Sequence, residues 1–146
     1  MSTSTIPAVL DALVDALKAV PGLSGVGVFS GPAGDSGVVE CIEIGSEIQI
    51  TESAAGMGGI RDERFDVEGS VFAIKPGASE AAIRAARDRA FDLFAEVETY
   101  LNDNHTVGGT CATTDISKGT VKQGYFQDGR ICSIEFTVAV TSFVNP

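Results

Sequence analysis

From Cys132 to Thr141 the residues alternate without a break. Cys132, Ile134, Phe136, Val138 and Val140 hold one parity, and Ser133, Glu135, Thr137, Ala139 and Thr141 hold the other. Side chains on a strand point to opposite faces in turn. The stretch therefore demands a sheet with one dry face and one wet face, and an apolar layer to cover the dry one.

Two helices are read as that layer. The clearer one follows Ser79, a residue type that caps helix N-termini, with Glu80 in the first turn to complement the helix dipole. Ile83, Ala86, Ala90, Leu93, Phe94, Val97 and Leu101 fall on one stripe, and Arg84, Asp88, Asp92 and Glu96 fall opposite. Glu80 and Arg84 form a favourably oriented i,i+4 pair. The other helix should begin near Pro7, carry Leu10, Leu13, Val14 and Leu17 on one side, and end at Pro21-Gly22.

Strands are expected at Val26–Phe29, Val38–Ile50, Arg61–Ile74, Gly109–Ile116, Thr120–Phe126 and Ile131–Val144. In the second, Ile42, Ile44, Ile48 and Ile50 share a face with Val38, interrupted by Glu40 and Ser46. In the third, Phe65, Val67, Val71 and Ala73 oppose Arg64, Asp66 and Glu68. Gln127-Asp128-Gly129-Arg130 reads as a hairpin turn. The expectation is an α+β fold: one mixed or antiparallel sheet of about six strands against two α-helices, in the order α-β-β-β-α-β-β-β. A length of 146 residues suits a single domain over 1–146. The intervening TESAAGMGGI, residues 51–60, has three glycines and no packing face, and is expected to be an exposed loop.

Charge narrows the function classes. The net charge of −10 lacks the basic footprint of a tight nucleic-acid binder. Nine acidic residues lie between Asp35 and Glu68, opposed by Arg61 and Arg64 alone. No apolar run is long enough for a membrane span. MSTSTIPAVL lacks the basic start of a signal peptide, so synthesis and use in a cytoplasm are expected.

Catalytic patterns are weak. His105 is the lone histidine, with Cys111 six residues on. Cys41, Cys111 and Cys132 are widely spaced and read as small buried apolar groups. The glycines of Gly25-Val26-Gly27-Val28-Phe29-Ser30-Gly31 precede a turn instead of opening a helix, so they do not make a phosphate loop. Glu63, Asp66 and Glu68 are the densest carboxylate group, but on a strand Glu63 points away from the other two, and a solvated face is the plainer reading. The chain is expected to be a structural protein without catalysis, metal or cofactor.

Resemblance carries the reading further. PAVLDALVDALKAV (7–20) followed by VFSGPAGD (28–35) is similar to the start of tail terminator proteins of long-tailed, siphovirus-type bacteriophages, especially those of actinobacteria. So are RDERFDVEGSVFA (61–73), AARDRAFDLFAEVETYL (85–101) and SIEFTVAVTSFV (133–144), in the same order. The resemblance implies a hexameric ring of identical subunits that caps the head-proximal end of the tail tube and ends its growth. Its implied partners are the major tail tube protein, a head-completion or stopper protein of the neck, and DNA passing through the lumen unbound. The implied place is the virion, after assembly in the host cytoplasm. A neighbouring head-completion protein is the alternative. On this reading Glu63, Asp66 and Glu68 are candidates to face the lumen. Glu52, Met57, Gly58 and Arg61 are candidates for contact with a neighbour or the tube, within a segment (Glu47 to Arg61) expected to order on contact.

Overall fold

A computed structural model describes residues 4–34, 37–52 and 61–144. Its elements are α1 (Ile6–Lys18), β1 (Gly27–Ser30), β2 (Glu40–Glu52), β3 (Arg61–Pro76), α2 (Glu80–Asp103), β4 (Thr113–Phe126) and β5 (Gly129–Val144). The strands form one sheet in the order β1-β2-β3-β5-β4. The β1–β2 pair is parallel and the other three are antiparallel. The fold is α+β, as the alternation requires.

The strand count is five, not six. The segments read as Gly109–Ile116 and Thr120–Phe126 are one continuous strand. Gly119, which looks like a strand breaker, follows a bulge between Ile116 and Lys118 and stays paired with Phe136. The start moves to Thr113 because Gly108 and Gly109 both adopt positive φ in the turns after α2.

Both helices cover the same face. α1 buries Val9, Leu13, Val14 and Leu17, and α2 buries Ala82, Ala86, Ala90, Leu93, Val97 and Leu101. They share one core with Ile42 and Ile44 of β2, Phe65, Val67, Val71 and Ala73 of β3, and the even residues 132–140 of β5. Small residues in the first half of α2 allow close approach to the sheet. The Ser79 hydroxyl caps α2 by accepting from the Ala82 amide at 3.2 Å.

Phe136 sits at the centre. Its ring lies 5.3 Å from that of Phe94, and its strand neighbours on either side are Gly69 and Gly119. A Cβ built on Gly69 would come within 2.7 Å of the Phe136 ring, so glycine there makes room for the aromatic. Gly45, at φ +83°, starts an irregularity between Ile44 and Glu47 that returns β2 to register with its apolar parity kept. Ile48 therefore still faces the helical layer.

Two acidic residues on the covered face are tied down. Glu40, which interrupts the apolar parity of β2, receives Nε of Arg89 from α2 at 2.7 Å and a terminal guanidinium nitrogen at 3.1 Å. That hydrogen bond holds the Glu40 carboxyl below its ordinary value, with the charge of Arg89 and then Lys75 acting the same way against the opposing effect of burial. Glu63 is only 2% exposed and accepts from both the amide and the hydroxyl of Thr5, each at 2.9 Å. It places a negative charge at the N-terminus of α1, where the helix dipole favours it.

Candidate functional site

The register defines the other face of the sheet residue by residue. Partners across an antiparallel pair share a face. Glu47 of β2, Glu68 of β3, Thr137 of β5 and Lys118 of β4 form one row. The next row is Gln49, Asp66, Ala139 and Asp115, and beyond it lie Glu52, Arg64, Thr141 and Thr113. Among the described residues neither helix covers this surface.

The surface is strongly acidic. Glu43, Glu47, Glu52, Asp62, Asp66, Glu68, Asp115 and Glu135 lie on it, against Arg64, Lys118 and Lys122. Some of these charges are engaged. Glu43 accepts from the Ala33 amide and, at 3.2 Å, from the Ser70 hydroxyl, which pins the loop after β1. Glu68 accepts the Thr137 hydroxyl at 2.9 Å. Arg64 lies 3.6 Å from Glu52 and 3.9 Å from Asp62, and Lys122 lies 3.0 Å from Glu135. These ion pairs are exposed and contribute little stability. The side chains of Glu47, Asp66 and Lys118 have no hydrogen-bond or ion-pair partner among the described residues.

The polarity changes along the strands. Toward the hairpin between β4 and β5, the same face carries Phe72, Ile74, Ile131 and Phe126, which with Val39 line an apolar groove of about 630 Å³. On the helical side, a cleft of about 830 Å³ between α2 and the end of β4 holds Arg84, Arg87 and Arg130. Its cations are engaged. Arg84 pairs with Glu80, and Arg130 lies 3.8 Å over the Tyr125 ring and donates to the Ala78 carbonyl.

The expected acidic group is thus divided. Asp66 and Glu68 share the uncovered face, but Glu63 does not. Its odd parity places it with Phe65 and Val67 on the helix-covered face, where it meets Thr5 at the start of α1, so it is removed from the lumen-facing candidates. Of the contact candidates, Glu52 ends β2 as an exposed strand residue and Arg61 begins β3. Met57 and Gly58 lie outside the described residues. The segment expected to order on contact is narrower than Glu47 to Arg61, because residues 47–52 already belong to β2.

The described residues hold no nucleophilic arrangement. Burial raises the pKa of all three cysteine thiols, that of Cys41 to about 12 with help from Glu43. His105 is exposed, and it is its backbone carbonyl, not its ring, that Cys111 and Thr114 approach. Among the described residues no group of histidine, cysteine and carboxylate side chains could hold a metal ion. No described helix is long and apolar enough to cross a membrane. Neither family models nor curated proteins match the sequence.

Proposed function

We propose that this protein is a structural ring subunit of a long-tailed phage, ending growth of the tail tube at its head-proximal end and forming part of the neck through which DNA passes. The observation that supports this best is the uncovered sheet face, where eight carboxylates oppose three cations. An acidic wall repels phosphate, so a duplex can slide past without being held. A ring with that face inward and the helices outward satisfies this requirement. The subunit works by shape and charge, with no cofactor. Its partners on this reading are five further copies, the tube protein, and the head-completion protein.

The test is tail length by electron microscopy in the phage that encodes this protein, with its gene deleted. A heterologous interface keeps adding subunits until something covers it. Overlong tubes beside filled, tailless heads support the terminator role. Tubes of normal length beside empty heads transfer the protein to head completion.

A further inference from the structure

Cations in this chain are few, and they are not spread evenly. Three of the ten lysines and arginines, Arg84, Arg87 and Arg130, line the cleft of about 830 Å³ between α2 and the end of β4. Only Glu80 and Asp88 share that lining as acids, which reverses the balance of the uncovered face. The cleft also lies away from the acidic rows. Arg130 stands in one row with Lys75 and Tyr125 at the hairpin end of the strands, whereas Glu52, Asp62 and Asp66 lie toward the opposite end.

The engagement of these guanidinium groups is partial. Each carries five N–H donors. Arg84 spends one nitrogen on Glu80 at 2.6 Å, an exposed pair that holds it weakly. Arg130 donates to the Ala78 carbonyl at 2.9 Å and makes no ion pair among the described residues, and its Nε has no acceptor there. Arg87 is the freest of the three. Its one ion pair among the described residues is with Asp88 at 3.9 Å, too far for a hydrogen bond.

Donors without acceptors in a concave site call for an oxyanion, and arginine binds one through two parallel bonds. The other walls suit a polypeptide. Ile83 and the ring of Tyr125, which is 70% exposed, offer apolar contact, and Gln123 offers an amide for a peptide backbone. The space far exceeds a phosphate ion. A nucleic acid would also bring its phosphates against the acidic rows, under a net charge of −10. A short segment in the cleft meets chiefly the charges of its lining, because salt screens the rest beyond about 8 Å. We infer that this cleft is a binding site for an acidic segment of a partner protein, with its Asp or Glu carboxylates on Arg87 and Arg84 and its apolar side chains on Ile83 and Tyr125. The site belongs to the single chain and does not depend on the ring reading.

The test titrates the full chain with capped tetraglutamate, capped tetraglutamine and inorganic phosphate, at roughly 0.15 M salt. Tetraglutamate should bind and shift the NMR amide signals of Arg84, Arg87, Gln123 and Tyr125, and tetraglutamine should not. Arg87→Ala should weaken binding roughly tenfold, and Arg87→Lys should recover only part of it, since lysine lacks the planar fork. Arg84→Ala, an exposed change, should weaken binding as well, and it stands in should Arg87→Ala not fold. Arg64→Ala, toward the other end of β3, should leave binding unchanged. No binding of tetraglutamate, equal binding of tetraglutamine, or indifference to both arginine changes overturns the site. Phosphate that binds as tightly as tetraglutamate, with the same loss in Arg87→Ala, overturns the protein segment in favour of a free oxyanion.

Discussion

Carboxylates on the two faces of this sheet have different work. On the covered face Glu40 and Glu63 are each held by two hydrogen bonds to named partners, one pinning α2 to β2 and the other capping α1. On the uncovered face the Asp66 and Glu47 side chains have no partner among the described residues, and the ion pairs nearby are exposed. Strand parity decides between the two. A carboxylate turned toward the helices must be satisfied, because a buried unpaired charge is strongly destabilising. One turned outward can be left to solvent, to a subunit neighbour, or to the field of a channel.

Substitutions should sharpen that contrast. The largest effect belongs to the covered face. Phe136→Ala removes the ring that fills the space over Gly69, and should cost about 3–5 kcal/mol in denaturant unfolding. Glu63→Ala is next. It leaves the Thr5 amide and hydroxyl without their acceptor, and a loss of about 1–3 kcal/mol is expected by the same measurement. Glu40 gives a smaller and pH-dependent effect. Its carboxyl titrates lower in the fold than in the unfolded chain, so its contribution is fully present above the unfolded pKa and is lost as pH falls through the folded one. Glu40→Gln should therefore flatten the acid limb of stability against pH, while leaving its shape above neutrality unchanged. The smallest effect is on the uncovered face. Asp66→Asn should shift stability by no more than about 0.5 kcal/mol. A loss at Asp66 as large as that at Glu63 would break the contrast between the faces.

The same parity explains what the sequence discloses. The run of even apolar residues from Cys132 to Val140 states its own face, and the α2 stripe states the layer that covers it. Glu63 was also legible, since it shares parity with Phe65 and Val67. Its parity already sets it apart from Asp66 and Glu68, and only charge density groups it with them. Gly119 misleads because a glycine between two polar residues reads as a break, and its place in a continuous ladder opposite Phe136 is visible only once β4 and β5 are paired. The Glu40–Arg89 pair spans 49 residues and needs the packing of α2 on the sheet before it can be seen.

The uncovered face can be challenged through its charge. Changing Asp66 and Glu68 to Lys in the assembled ring should create DNA affinity that falls with added salt, whereas wild-type rings should stay at background. The most direct test of the whole reading is an electron microscopy reconstruction of the protein on the end of isolated tail tubes. A closed ring with Asp66 and Glu68 toward the lumen and α1 and α2 outside is the expected result. A ring with its helices lining the channel, or tube ends with no added density, would contradict it.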